Sequence, residues 1–190
     1  IYKKKIIWCG SSTHGNEEVI SGYAHIKIKK RIKNLLTIII PRHINRCEEV
    51  INSLKNLNLK IHLHSSKSKI PKDIDIYLVD TYGETKSFFK ISKVVFVGGS
   101  IIEHGGQNPL EAARFGCKIL HGKHINNFLE IYSILSKNNQ STKIKSQKHL
   151  TNVLTKYLSQ KNNSDVFIKK LNRTGSDILK KTKNEILKFI

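Results

Sequence analysis

The sequence predicts an α/β protein built on a doubly wound parallel sheet. Three observations predict it. Short, continuous apolar bursts rich in β-branched residues recur along the first 121 positions, as in strands covered on both faces. Longer amphipathic stretches fall between most of them, so strand and helix alternate with short turns. Small or charged polar residues cluster directly after several bursts, where ligands bind in such sheets.

Taken in order, the first strand is read over Lys5–Cys9, followed by a helix over Glu17–Lys33 that opens on acids and closes on bases. A strand over Leu35–Ile40 and a helix over Asn45–Asn56 come next. Strands at Leu59–His64 and Ile74–Val79 precede a helix at Glu84–Ser92. The burst Val94–Val97 leads through a loop with two Gly pairs into a helix over Pro109–Gly116. There the proline suits a first turn, because its missing N–H would have no partner anyway. The strand Lys118–His121 and the helix Asn126–Ser136 follow, and beyond Lys143 no further strand is read. The tail is read as helices over His149–Gln160 and Asp165–Ile190, separated by a polar KNNS hinge. The last helix has apolar positions at Val166, Ile168, Leu171, Ile178, Leu179, Ile186 and Leu187, and no local partner for them is evident. Residues 1–145 are thus expected to form the sheet domain, with 146–190 as its C-terminal helices.

A chain of 190 residues fits one domain. It starts at Ile1 and contains no methionine, which reads as part of a longer protein. No apolar run approaches the ~20 residues needed to cross a bilayer, and no signal peptide is visible. Cys9, Cys47 and Cys117 are odd in number and far apart, so neither a disulfide framework nor a zinc site is expected; they read as buried apolar thiols in a reducing compartment. The nine histidines form no HxxxH or HExxH pattern, and no GxSxG elbow exists. His62 and His64 read as packing or surface residues. The net charge of +20 favours an anionic partner. Ile-, Lys- and Asn-rich composition accounts for part of that charge. The lysines lack interleaved stacking aromatics, which places membrane phosphates ahead of nucleic acid.

Four polar clusters sit at four strand ends. Ser11 to Glu18 follows the first, with Ser12 and Thr13 as small hydroxyl donors and Glu17 and Glu18 opening a helix. Pro41 and Arg42 follow the second, where a guanidinium fork suits phosphate or carboxylate. Tyr82, Gly83 and Glu84 follow the fourth. The fifth leads to His104, Gly105 and Gly106 and then Asn108, Pro109, Leu110 and Glu111. A carboxylate one turn into such a helix can accept both hydroxyls of a ribose, while backbone N–H groups of the Gly-rich turn face a phosphate. Any one cluster has a bland reading as a cap or a solvated side chain; four together point to a nucleotide-linked anion site.

The strings SSTHGNEE (Ser11–Glu18), PRHINR (Pro41–Arg46), DTYGE (Asp80–Glu84) and FVGGSIIEHGGQNPLEAARFG (Phe96–Gly116) resemble, in order and spacing over about residues 5–135, the C-terminal half of 3-deoxy-D-manno-octulosonic acid (Kdo) transferases. That resemblance implies a GT-B glycosyltransferase, with two Rossmann-like domains facing a cleft and the C-terminal one holding CMP-Kdo. It implies that Pro41, Arg42, Tyr82, Gly83, Glu84, Asn108, Pro109, Leu110 and Glu111 line the CMP site, Glu111 toward the ribose, with Ser12, Thr13, Gly105 and Gly106 as neighbours. It implies a general base on an N-terminal domain outside this chain, so no catalytic residue is expected here, and the chain alone is expected to be inactive. No metal and no cofactor beyond the donor substrate CMP-Kdo are expected. The acceptor would be a lipid A precursor of lipopolysaccharide assembly, at the cytoplasmic face of the inner membrane. Gln107 departs from the pattern, where a small residue or His is expected. Two other readings remain open: another GT-B enzyme acting on a UDP-sugar, as transferase or epimerase, and a basic nucleic-acid-binding module supported by charge alone.

Overall fold

The structure, a computed structural model, describes residues 4–160 and 165–188. The chain runs β1 (Ile6–Thr13), α1 (Glu17–Lys29), β2 (Leu35–Pro41), a 3-10 turn (Ile44–Arg46) into α2 (Cys47–Lys55), β3 (Ile61–Leu63), β4 (Ile76–Leu78), α3 (Thr85–Ile91) and β5 (Val94–Val97). It continues with α4 (Leu110–Arg114), β6 (Lys118–His121), a 3-10 turn (Asn126–Phe128) into α5 (Leu129–Lys137), β7 (Ser141–Lys143), α6 (Gln147–Ser159) and α7 (Asp165–Ile186). The strands form one seven-stranded sheet in the order β3-β4-β2-β1-β5-β6-β7, and every pairing is parallel. The doubly wound α/β prediction is therefore met.

Alternate residues of each strand feed opposite faces, which is why the strands read as continuous apolar runs. On β1, Trp8 packs with Ala24 and Ile28 of α1 and with Leu150, Leu154 and Leu158 of α6, whereas Ile7 and Cys9 pack on the other face with Phe88, Phe89, Ala112, Ala113, Tyr132 and Leu135. α2 covers the end of the first face through Val50 and Leu54, over Ile39, Ile76 and Leu78. Each fully buried Val, Leu, Ile or Phe side chain contributes about 1.5–3 kcal/mol, so even four-residue strands such as Val94–Val97 hold their place. Consecutive strands wind leftward from β1 to β2 and rightward from β5 to β6, so the direction of winding reverses between β1 and β5. Ligands of doubly wound sheets bind outside the strand C-termini at this point.

Several predicted boundaries are corrected. β1 continues to Thr13, because Ser11 and Thr13 pair with Ile40 and Pro41 across a register shift at Ser12, whose φ is 53°. β7 was not predicted: Ser141–Lys143 has no apolar burst, and its register beside β6 supplies what propensity does not. α1 stops at Lys29, with Arg31 and Ile32 both donating to the Ile28 carbonyl in a closing turn. α4 is only five residues long. α6 starts at Gln147, capped by the Ser146 hydroxyl accepting from the His149 amide at 3.1 Å.

In α7, Phe167 is buried and Leu171 packs on the core. Leu179, Ile186 and Leu187 are exposed. The predicted hinge, residues 161–164, lies outside the described residues, as do the side chains of Val166 and Ile178 and the helix end at Ile190. All three cysteines are free and buried, and burial pushes the Cys117 thiol up to about 12. That agrees with thiols acting as small apolar residues.

Candidate functional site

The C-terminal ends of β1, β2, β4 and β5 bring the four predicted clusters to one edge of the sheet. Its centre is a joint between the β1 and β5 loops, built on Glu17. This carboxylate is fully buried and accepts four backbone N–H groups: His14 at 2.9 Å, Gly99 at 2.8 Å, Ser100 at 3.1 Å and Ile101 at 2.9 Å. Burial pushes the Glu17 carboxyl up, and the four amides pull it partly back. Gly98 lets the two loops close: a Cβ there would stand 2.3 Å from the Ser12 carbonyl oxygen and 2.6 Å from Thr13 Cα. The prediction that amides of the Gly-rich turn face a phosphate is thus corrected for Gly99, Ser100 and Ile101, since an internal carboxylate already occupies them. Glu17, read from sequence as a helix-opening acid, is a buried staple.

Around this joint lie groups with no internal partner. Arg42 is exposed; its amide donates to the Thr13 carbonyl at 3.0 Å, which ties the β2 end to the β1 end. Its guanidinium makes no hydrogen bond or ion pair among the described residues, unlike Arg46, which pairs with Glu18 at 3.0 Å and Glu49 at 3.2 Å. Pro41 is buried at the end of β2. The His14 ring lies 4.3 Å from that of His104 and 5.6 Å from that of His43. Burial, reinforced by His104, His43, Arg46 and Arg42, pushes His14 down to about 4, so it is neutral at physiological pH. Thr13 Oγ1, His14 Nε2 and Thr81 Oγ1 are buried without a partner among the described residues. Such atoms are costly unless something else satisfies them.

On the far rim, Tyr82 is 65% exposed and Gly83 has positive φ. Glu84 pairs with His64, whose Nδ1 lies 2.8 Å from the Tyr77 hydroxyl; His62 is buried against the Tyr77 ring. Lys86 at the start of α3 reaches Glu111 of α4 at 3.6 Å, so these two clusters adjoin. Asn108 Oδ1 accepts the Leu110 amide at 2.9 Å and fixes the entry to α4. Pro109 is buried, Glu111 is half-exposed, and the Leu110 side chain lines an apolar groove against α5 and α7. Gly105 and Gly106 form the β5-loop return: Gly106 donates to the Gly99 carbonyl at 2.8 Å, and the Gly105 carbonyl accepts from the Asn127 amide at 3.1 Å. The Gln107 carbonyl accepts the Tyr132 hydroxyl at 3.1 Å. Sequence reasoning placed His104 in the β5-loop cluster without giving it a binding role, and it left out His14, His43 and Thr81. Their signal was adjacency: each lies next to a residue or cluster already singled out at a strand end.

Among the described residues no three His, Cys, Asp or Glu side chains could together hold a metal ion, and no helix is long and apolar enough to cross a membrane.

A parallel sheet with its open polar edge at the winding reversal defines the class: this is the fold of the C-terminal half of a GT-B glycosyltransferase. It superposes on the C-terminal domain of a glycosyl transferase group 1 family protein (LpcC) from Francisella tularensis with a TM-score of 0.54 and 20% identity, over 83% of this chain and 76% of that one. Against the C-terminal CMP-Kdo binding domain of WaaA from Acinetobacter baumannii the TM-score is 0.82, with 26% identity and 90% of each chain covered. A 3-deoxy-D-manno-octulosonic acid transferase from Haemophilus influenzae is 36% identical over 129 residues, which are 68% of this chain and 30% of that relative. No family model matches the chain. The chain belongs to the 3-deoxy-D-manno-octulosonic acid transferase family, and it spans about a third of the length of the curated relatives it matches.

Proposed function

We propose that this chain is the donor-binding part of a glycosyltransferase that moves Kdo from CMP-Kdo to a lipid A precursor. The observation that carries the reading is the match, over 90% of both chains, to a domain that binds CMP-Kdo. The unpaired Arg42 at the edge of the β1–β5 crevice supports the placement of the donor.

In this reading the Arg42 guanidinium meets the CMP phosphate, and its main chain is held in place by the Thr13 carbonyl. Glu111, half-exposed and balanced by Lys86, accepts the ribose hydroxyls. Pro41, Tyr82 and Gly83 line the nucleotide. Glu84 and Asn108 hold the rims, through His64 and the Leu110 amide respectively. Pro109 and Leu110 contribute backbone, since Pro109 is buried and Leu110 turns toward α7. Ser12, Thr13, Gly105 and Gly106 shape the loops behind the phosphate.

A hydroxyl of the acceptor attacks the anomeric carbon of Kdo, the bond from that carbon to the phosphate oxygen breaks, and CMP leaves with the bonding electrons. Arg42 stabilises the charge that develops on the phosphate. The base that takes the acceptor proton lies on the rest of the protein, so this chain alone is inactive. In this reading CMP-Kdo is the donor substrate and no cofactor takes part. The protein works at the cytoplasmic face of the inner membrane, with its strongly basic surface toward anionic lipid.

Titration of the chain with CMP, followed by NMR, is expected to shift the amides of Arg42, Tyr82–Glu84 and Glu111, and UDP should compete poorly. Unmoved Arg42 and Glu111 amides at millimolar CMP would sink the assignment; stronger binding of UDP would move it to a UDP-sugar enzyme.

A further inference from the structure

Three imidazoles from three separate loops meet beside the Glu17 joint. The His14 ring, after β1, lies 4.3 Å from that of His104 in the β5 loop and 5.6 Å from that of His43 after β2. Gly99 lies against the same group. A Cβ there would stand 3.2 Å from His104 Cδ2, 3.3 Å from His14 Cδ2 and 3.5 Å from Gln107 Nε2, so the Gln107 amide joins the histidines. The backbone under them is fixed: the His14 amide donates to Glu17 at 2.9 Å, and the Gly99 carbonyl accepts from the Gly106 amide at 2.8 Å.

These side chains have no internal use. The rings of His14, His43 and His104 and the Gln107 amide group make no hydrogen bond among the described residues. His14 is 7% exposed and its Nε2 is buried without a partner, whereas His43 and His104 are open to solvent. Among the described residues no three such side chains could hold a metal ion, so the rings are not a metal site. The side chains whose charge bears on His14 are basic: His104, His43, Arg46 and Arg42. Of the two arginines Arg46 is paired with Glu18 and Glu49. The Glu17 carboxylate is filled by its four amides. A cluster of N–H donors with unfilled valences in a basic surround calls for an anion.

Position says which anion. His14 and His43 lead into α1 and α2, which cover one face of the sheet, whereas Tyr82–Glu84 and Glu111 belong to α3 and α4 on the other. The cluster thus lies across the strand ends from the proposed ribose contact, with Arg42 preceding His43 in the chain. A nucleotide sugar that places its phosphate at Arg42 and its ribose at Glu111 sends its sugar to the histidine side. In an ulosonic acid the carbon that bears the phosphate oxygen also bears a carboxylate. Two anionic groups on one carbon repel each other, so their donors must stand side by side. We propose that His43, His104 and Gln107, packed on His14, form a carboxylate subsite that selects an acidic sugar over a neutral one. This rests on the donor reading given above and deepens it.

The test is calorimetric titration of the chain with freshly prepared CMP-Kdo and with cytidine 5′-methylphosphate, a diester that has the same phosphate charge and no carboxylate. Wild type should bind CMP-Kdo about tenfold more tightly than the methyl diester or better. His43→Ala/His104→Ala, at exposed positions, should weaken CMP-Kdo about tenfold and the methyl diester less than about threefold, which narrows the gap. Arg42→Ala should weaken both ligands and keep the gap. If both ligands bind wild type and the gap is the same in the double variant, the subsite is overturned and the donor reading stands. An equal loss of both ligands in the double variant would move the histidines to the phosphate and also overturn the subsite. If wild type binds neither ligand, or binds UDP more tightly than both, the donor reading falls and the subsite falls with it.

Discussion

The two ends of the sheet treat charge in opposite ways. At the N-terminal end, Asp75 just before β4 is buried and gathers its partners: Lys29, His25 at 3.2 Å and the Lys60 amide at 2.9 Å, with the far nitrogen of His25 on Thr37 at 2.8 Å. Lys29 and Lys60 there are paired off, Lys60 with Asp73. At the C-terminal end one buried acid, Glu18, pairs with Arg46, but the other, Glu17, takes only backbone amides, and among the described residues Arg42, Lys123, Lys143 and Lys145 have no acidic partner. Asp75 and Glu17 both knit elements far apart in sequence, but only Asp75 neutralises side chains. The comparison teaches that a site is found where cations remain uncompensated, and that an interior acid can stabilise a loop without consuming them.

Breaking the Glu17 joint should have the largest effect. Glu17→Ala strands four buried N–H groups and is expected to cost about 3–5 kcal/mol in urea unfolding. Glu17→Gln should cost about 2–3 kcal/mol, because its amide nitrogen would face two donors. If either variant matched wild type, the joint would not be what holds the loops.

The opposite end is broken by Asp75→Asn, with an expected loss of about 2–3 kcal/mol at neutral pH. Burial pushes the Asp75 carboxyl up, but hydrogen bonds from His25, Lys29 and the Lys60 amide outweigh it and hold it well below the usual carboxylate range. A depressed acid contributes stability above its unfolded value of 3.8, lost as pH falls through and below that value. Wild type should therefore lose stability steeply below about pH 4, and Asp75→Asn should lose less of it there. Equal acid limbs in the two proteins would show that the N-terminal charges do not act as a set.

Why one acid is a staple and another lines a rim could not be read from the chain. Glu17 and Glu111 both open helices after strand-end loops, and local pattern treats them alike. The difference arises because β1 and β5 are neighbours, which brings the amides of Gly99, Ser100 and Ile101 onto residue 17 from more than eighty positions away. Strands such as Leu35–Ile40 and Val94–Val97 were legible because burial on both faces demands continuous apolar runs. Ser141–Lys143 was not, because an edge strand of three polar residues carries no such signature. The four strand-end clusters were legible as positions. The histidine cluster around His14 was not, since its members come from three separate loops.

The exposed rim supplies the smaller effects. Arg42→Ala should weaken CMP binding about 10–100-fold, the worth of a charge-assisted bond of 1.5–3 kcal/mol. Unfolding stability should stay within about 0.5 kcal/mol, because no internal contact is lost. A large stability loss with unchanged CMP affinity would place Arg42 with Asp75, among the paired charges.

Smallest should be Glu111→Gln. Its one internal partner among the described residues is Lys86 at 3.6 Å, on side chains 45% and 69% exposed, and such surface pairs contribute about 0–1 kcal/mol. Stability should scarcely change. Glutamine retains one acceptor oxygen, so one ribose hydroxyl stays bonded while the other loses a charged acceptor, and CMP affinity should fall about 3–10-fold. The discriminating measurement is 2′-deoxy-CMP. Wild type should bind it more weakly than CMP, and Glu111→Gln should narrow that gap. A gap of equal size in both proteins would remove Glu111 from the ribose and leave it, like Glu18 beside Arg46, an acid whose partner is internal.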